Sequence, residues 1–125
     1  MTTQPSYSYF KETDVLYISF APGEKAPAAV ELNDNILLRF NRAEKRVIGL
    51  TLMDFSVLVQ TTELGPRQFP LSGLQDLEPD WQELVIDLIT QPPVSQFLKV
   101  STFTPSSTES IPIAQVEKPP LFAVA

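Results

Sequence analysis

The feature that most constrains the fold is an alternation of apolar and polar side chains, with a period of two residues, that extends from Tyr7 to Met53. Short apolar runs of this period are typical of strands that bury one face, and closely spaced polar turns separate them. The runs are residues 7–10, 15–20, 29–32, 36–41 and 48–52. They predict about five antiparallel strands joined in sequence order as a β-meander.

The second run differs from its neighbours because it is apolar on both alternating faces. A strand of this kind is typical of the middle of a sheet that is covered on both sides, so residues 15–20 are predicted to form the central strand. In the last run, Gly49 lies opposite the inward apolar set. Its missing side chain leaves room there for a bulge or a close neighbour.

One cover for the sheet is a helix predicted from Pro79 to Gln91, in which apolar residues recur at spacings of three and four. They are Trp81, Leu84, Val85, Leu88 and Ile89. A shorter helical turn is predicted from Ser72, and residues 94–103 again have strand-like composition. Residues 104–125 combine four prolines with serine and threonine, a composition that predicts an extended tail.

These segments together predict the α+β class, with a small antiparallel β-meander sheet, one main helix packed on it and an extended C-terminal tail. The predicted single domain covers residues 1–103 and the tail covers 104–125. Within the domain, the meander is predicted at 7–60, the helical segment at 72–91 and the late strand at 94–103.

The composition excludes most familiar active sites. The 125 residues include no cysteine and no histidine, so the chain lacks the thiol nucleophile, the imidazole base and the two commonest transition-metal ligands. Its net charge of −6 opposes binding to a phosphate backbone, and its four glycines are too far apart for a phosphate-binding loop. We therefore expect no catalytic residue, no cofactor and no nucleic-acid partner.

The sequence also carries signals about location. Its first residues lack the positive and apolar regions of a secretory signal, and no window reaches the ~18 to 20 apolar residues of a membrane span. The absence of cysteine fits a reducing compartment. The expectation is a cytoplasmic protein that does not bind membranes.

Several short motifs between Tyr9 and Ser56 form a recognisable set. They are Tyr9 with Asp14-Val15-Leu16-Tyr17-Ile18, then Glu31-Leu32 with Asp34, then Val47-Ile48-Gly49-Leu50 before Asp54 and Ser56. With these motifs, residues 9–56 resemble the bacterial family called domain of unknown function 2283 (DUF2283). The resemblance implies a small antiparallel sheet and brings no established activity.

Three carboxylates are candidate ligands for Mg²⁺ or Ca²⁺, which prefer oxygen donors. Glu31, Asp34 and Asp54 would meet if they lay at the same end of the meander. Turn aspartates usually hydrogen-bond local backbone, however, as Asp34 would between Asn33 and Asn35. We favour this local role. A ligand-binding or divalent-metal-assisted enzyme subunit that uses acidic residues is the alternative hypothesis for function.

Aromatic side chains offer a surface of a different kind. Tyr7, Tyr9 and Tyr17 are expected side by side across the first hairpin, where either cross-strand packing or a protein partner would explain them. Together with Leu37 and Phe122 they are the predicted interaction surface. The leading hypothesis is accordingly an accessory or protein–protein interaction module without catalytic activity.

A second cover is needed for residues 15–20 if both of their faces are apolar. We expect a symmetric homodimer, because two-fold pairing is the commonest way for identical subunits to bury such a surface. The competing cover is the predicted tail, with Ile111, Ile113 and Phe122 placed across the sheet.

Overall fold

Five antiparallel strands form the first sheet in the part of the chain where the alternation predicts them. In the computed structural model, which describes residues 5–63 and 65–117, they are β1 (Ser6–Phe10), β2 (Val15–Ser19), β3 (Ala28–Asn33), β4 (Ile36–Asn41) and β5 (Arg46–Met53). The predicted runs agree with these bounds to within about two residues, as expected for element boundaries. Together with the helix described below, the sheet confirms the α+β class.

The predicted meander order is wrong. The strands lie in the order β1-β2-β5-β4-β3, so β2 pairs with β5 and not with β3. After β2 the chain passes through residues 20–27, which include Pro22, Gly23 and Pro27, to the far edge of the sheet. This connection is too long and too rich in proline for a tight hairpin. The local alternation contains no information on which distant strand fills the gap.

The central strand is β5, not β2. Every residue from Val47 to Leu52 is buried, whereas Tyr17 in β2 is 42% exposed. Because β5 has two strands on each side, its side chains have neighbours from adjacent strands on both faces of the sheet. In β2, Leu16 and Ile18 are fully buried on one face only.

The rest of the described chain forms short elements and a second sheet. They are α1 (Phe55–Leu58), β6 (Thr61–Thr62), β7 (Gly65–Pro66), β8 (Phe69–Pro70), a first 3-10 helix (Ser72–Asp76), α2 (Pro79–Ile89), a second 3-10 helix (Val94–Gln96), β9 (Leu98–Ser106) and β10 (Glu109–Val116). The second sheet has the order β8-β10-β9, and β6 pairs with β7. The predicted main helix is thus confirmed, and it ends two residues before Gln91.

One hydrophobic core lies between the first sheet and these later elements. The inward side chains of the sheet, among them Leu38, Phe40 and Leu50, form a single cluster with Val85 and Ile89 of α2. Trp81 packs edge-on against Phe40, with ring centroids 5.7 Å apart. The second sheet contributes further buried side chains to this cluster, namely Leu98, Ala114 and Val116. We call the side of the first sheet that carries this core the inner face.

The predicted extended tail is wrong for residues 104–116. The boundary expected after residue 103 falls within β9, and β10 occupies the start of the predicted tail with Ala114 and Val116 buried. Pro112 is tolerated because β8 pairs only with Ile113 and Ala114, so the missing N–H disrupts no long ladder on that side. Phe122 lies outside the described residues.

Candidate functional site

The side of the first sheet opposite the core carries the candidate site, and we call it the outer face. Successive residues of a strand alternate between the two faces of a sheet. The strand residues that alternate with the core residues therefore point to the outer face. Its apolar members are Phe10, Val15, Tyr17, Leu37 and Met53. None of them belongs to the hydrophobic core cluster of the described residues.

Strand register places the outer-face residues in rows across the sheet. The middle row is Ser8, Tyr17, Thr51, Leu37 and Glu31. The row at one end consists of Phe10, Val15 and Met53, and the row at the other end consists of Ser6, Ser19, Gly49, Arg39 and Ala29. Directly paired side chains on one face touch each other, so the rows define neighbours across the sheet.

Two aromatic rings are the most exposed of the large apolar side chains on this face. Phe10 and Tyr17 contact each other with centroids 5.5 Å apart and ring planes at 83°, which is the T-shaped arrangement that aromatic pairs favour. The two side chains are nevertheless 54% and 42% exposed. At the centre of the face, Thr51 is buried between its paired neighbours Tyr17 and Leu37.

Arg39 crosses the outer face above Gly49. A Cβ at Gly49 would lie 2.5 Å from Arg39 Nη2 and 2.9 Å from Cζ, so only glycine leaves this space for the guanidinium. The close neighbour expected at Gly49 is therefore Arg39, and the pairing of β4 with β5 shifts register directly after it. Nε of Arg39 is buried and has no hydrogen-bond partner among the described residues.

The three tyrosines do not form one surface, contrary to the prediction. Tyr7 and Tyr9 pack against the core, where Tyr7 contacts Phe97 and Tyr9 contacts Phe55 at centroid distances of 5.9 and 5.7 Å. Tyr17 lies on the outer face because its register partner in β1 is Ser8, which points away from the core. The register of the first hairpin decides this, because it pairs each tyrosine of β1 with a core residue of β2 and pairs Tyr17 with a serine.

Of the other residues predicted for the interaction surface, Leu37 lies on the outer face and Phe122 is outside the described residues. The outer face also contains Phe10, Arg39 and Met53, which are not among the residues predicted for it. The signal that identifies them is their position opposite the core set within strands that were otherwise correctly located. These residues become neighbours only because particular strands pair, and the local pattern does not show which strands pair.

A polar cluster at the β1–β2 turn contains three of the motif residues, Tyr9, Asp14 and Ser56. The Asp14 carboxylate accepts hydrogen bonds from Tyr9 Oη at 2.7 Å, from Ser56 Oγ at 2.6 Å and from the Ser56 backbone N–H at 3.0 Å. The Ser56 hydroxyl, and after it the Tyr9 hydroxyl, lower the pKa of Asp14, and Asp14 in turn raises the pKa of Tyr9. The cluster joins the β1–β2 turn to α1.

The three candidate carboxylates do not meet at one site in the described part of the chain. Asp54 accepts a hydrogen bond from Asn35 Nδ2 at 3.0 Å, whereas Glu31 and Asp34 line a groove between β3 and the first 3-10 helix. In the β3–β4 turn the side chain that binds local backbone is Asn33, which accepts from the Asn35 N–H at 2.8 Å, and not Asp34 as expected. Among the described residues, no group of three or more acidic side chains is placed to hold a metal ion.

Comparison with known proteins concerns the first sheet. No helix within residues 5–63 and 65–117 is long and apolar enough to cross a membrane. No curated protein and no solved structure matches the chain. Residues 6–56, which contain all five strands of the first sheet, match the model of the family described as Protein of unknown function (DUF2283), and this confirms the resemblance that the motifs indicate.

Proposed function

We propose that the protein is a protein–protein interaction module without catalytic activity, and that its outer face binds a second copy of the chain to form a homodimer. The observation that carries this proposal is the exposed contact of Phe10 with Tyr17 on a sheet face that also presents Val15, Leu37 and Met53. Contiguous exposed apolar surface marks interaction sites, and aromatic residues are enriched at the centres of interfaces.

Packing of the later chain supports the choice of the outer face. Helix α2 and the second sheet contribute their buried side chains to the core on the inner face. Ile113, offered as part of a competing cover, lies in β10 and pairs with Pro70 and Ser101 of the second sheet. The part of β10 that is buried therefore serves the inner face, and within residues 5–63 and 65–117 the outer-face side chains Phe10 and Tyr17 stay exposed.

A second copy is a suitable partner because the outer face is self-complementary in chemical character. It combines a stripe of apolar side chains with the cation of Arg39 and the carboxylate of Glu31. A two-fold interface uses the same patch on both subunits, so such a patch must carry both members of each interaction. A purely cationic or purely anionic face would repel its own copy.

The absence of catalysis is supported by the chemistry of the chain. The sequence has no cysteine or histidine. The Asp14 carboxylate accepts hydrogen bonds from Tyr9 and Ser56, and these bonds connect the β1–β2 turn to α1. Asp54 is similarly engaged by Asn35. Both carboxylates therefore act as acceptors in hydrogen bonds that join separate elements of the fold, which is a structural role.

Sedimentation equilibrium on the full chain tests the proposal. We expect a dimer for the wild type and a clear shift to monomer for Phe10→Ser or Tyr17→Ser, because each removes an aromatic anchor from the interface. Phe103→Ser is the matched control: Phe103 is 53% exposed but lies in β9 of the second sheet. A wild-type monomer, or a dimer that only Phe103→Ser dissociates, would refute the proposal.

A further inference from the structure

We infer that Arg39 of one copy pairs with Glu31 of the second copy, and that this reciprocal pair sets the register of the dimer. The inference rests on the proposed function, since it assumes that two outer faces meet. Within the described residues neither side chain takes part in an ion pair, although Arg46 pairs with Glu24 and Glu44, and Lys99 pairs with Glu117.

The first support is the state of the Arg39 side chain. Its guanidinium is held against the sheet above Gly49, and its Nε is buried without an acceptor among the described residues. A guanidinium carries five N–H donors in a fixed planar fork, and a buried donor without an acceptor is unfavourable. A carboxylate approaching the outer face would supply acceptors in the geometry that arginine binds best.

The second support is the position of Glu31. It lies on the outer side of edge strand β3, is exposed, and is paired with Leu37. Arg39 is two residues beyond Leu37 on β4 and is paired with Ala29. Arg39 and Glu31 are thus diagonal neighbours across two strands, at the separation of about 7–8 Å that is usual for such positions.

The pair of Arg39 with Glu31 also determines the direction of the two-fold axis between the two copies. When two faces meet, the axis lies in the plane between them and exchanges positions that mirror each other across it. The axis that exchanges Arg39 with Glu31 is the perpendicular bisector of the line joining them. With strands about 4.8 Å apart and about 3.3 Å per residue, it passes close to Leu37 and Thr51.

Continued across the sheet, the same axis passes between Val15 and Tyr17 and reaches the far edge near Phe10. The apolar stripe of the outer face therefore follows the axis, and each of its members meets the stripe of the second copy. The strands of the two sheets then cross at roughly 70°, which is closer to the orthogonal than to the aligned class of sheet packing. The apolar stripe and the charge pair are therefore both satisfied by the same arrangement of the two copies.

The charge pair adds a property that the stripe lacks. Two apolar stripes can slide along each other with little loss of contact, whereas a shifted register would place Arg39 against the other Arg39 or leave both charges without partners. Complementary charges fix register and orientation in this way, and misplaced like charges are unfavourable. Because the dimer contains the pair twice, each substitution acts at two places.

Charge reversal followed by mixing tests the inference. Arg39→Glu and Glu31→Arg are each expected to weaken self-association by about tenfold or more, measured by sedimentation equilibrium. When the two variants are mixed, both pairs are restored, because one chain carries Glu at both positions and the other carries Arg at both. One of these pairs is the native pair of Arg39 with Glu31, and the other joins the two substituted positions with the charges exchanged. We expect a one-to-one heterodimer with an affinity near that of the wild type.

The outcomes separate this inference from the proposed function. If the wild type is a monomer, the proposed function fails and the register pair fails with it. If the wild type is a dimer and both single variants still dimerise, or if the mixture forms no heterodimer, the register pair is refuted while the outer-face dimer stands. Phe103→Ser mixed with either variant controls for nonspecific exchange.

Salt dependence provides a second measurement should Arg39→Glu fail to fold. Dimerisation of the wild type should weaken as the salt concentration rises, and Glu31→Gln, which removes one charge of the pair without reversing it, should abolish most of that dependence. An equal salt dependence in the wild type and in Glu31→Gln would overturn the inference.

Discussion

Asp14 illustrates how one residue at a turn can hold separate elements together. It adopts a left-handed backbone conformation with φ of 55°, which Asp and Asn tolerate better than most residues. Its backbone carbonyl accepts the N–H of Phe55 at 2.9 Å, and its carboxylate accepts the N–H and hydroxyl of Ser56. The first turn and the start of α1 are therefore tied at both the main chain and the side chain.

Replacement of Asp14 by asparagine should lower the melting temperature in a pH-dependent way. The hydrogen bonds favour the ionised form, so the pKa of Asp14 in the folded chain lies below its ordinary value of 3.8. The unfolded chain therefore takes up the proton first, and the stabilisation is complete above pH 3.8 and is lost as the pH falls through the folded pKa. Asparagine tolerates the left-handed backbone, so the substitution removes the charge and one acceptor oxygen without straining the turn.

Calorimetric melts of the wild type and Asp14→Asn between neutral and acid pH measure this effect. We expect the difference in melting temperature to be largest near neutral pH and to shrink below about pH 4. Glu12→Gln, an exposed substitution in the same turn, is the control and should change little at any pH. A constant difference between wild type and Asp14→Asn across the range would contradict the prediction.

At the scale of elements, the sequence predicts what local periodicity determines. The five strands and α2 appear at the expected positions because a period of two or of 3.6 residues is imposed by one buried face. Pairing of β2 with β5 depends on contacts between distant segments, which no local pattern encodes. β10 is not predicted because the four prolines of residues 104–125 indicate a tail, although Ala114 and Val116 alternate as a buried strand requires.

The same limit explains how much of the candidate site was predictable. Tyr17 and Leu37 were expected on an interaction surface, and both lie on the outer face. Phe10 joins them only through the register of β1 with β2, and Arg39 only through the space above Gly49. A surface assembled from four strands is fixed by strand order, so it becomes visible only when that order is known.

Close approach of the first 3-10 helix to β3 makes Gly73 a sensitive position. A Cβ there would lie 1.8 Å from the carbonyl oxygen of Glu31, so Gly73→Ala must push the helix away from the strand. We expect a loss of about 1–3 kcal/mol, the usual range for overpacking. The displacement should also increase hydrogen exchange in β3 and in the helix, where Leu74 is buried.

Ser72→Ala is the matched control for this substitution, because Ser72 is an exposed neighbour in the same 3-10 helix. Chemical denaturation and hydrogen exchange should leave it close to the wild type. Equal stability of Gly73→Ala and Ser72→Ala would show that the helix can move away from β3 without cost, and the close contact would then have no energetic weight.

At the scale of the whole molecule, the two faces of the first sheet are covered to different extents. The inner face is covered by elements that follow the family-matched segment of residues 6–56, chiefly α2 and the second sheet. The outer face keeps its apolar side chains outside that core. The described part of the later chain therefore stabilises the sheet from one side, and the proposed dimer would use the other.

Removal of β10 tests whether the later chain is an integral part of the fold. A chain ending at Thr104 loses Ala114 and Val116 from the core, the hydrogen bond from Leu71 N–H to the Pro112 carbonyl, and the one from Glu117 N–H to the Phe97 carbonyl. Burial of these two side chains alone is worth about 3 kcal/mol. We therefore expect a large fall in melting temperature, measured by circular dichroism. A chain ending at Glu117 keeps all these contacts and is the matched control, which should melt well above the Thr104 chain. If the Thr104 chain also melts like the full chain, residues 105–117 do not stabilise the core, and the role of β10 in covering the inner face is refuted.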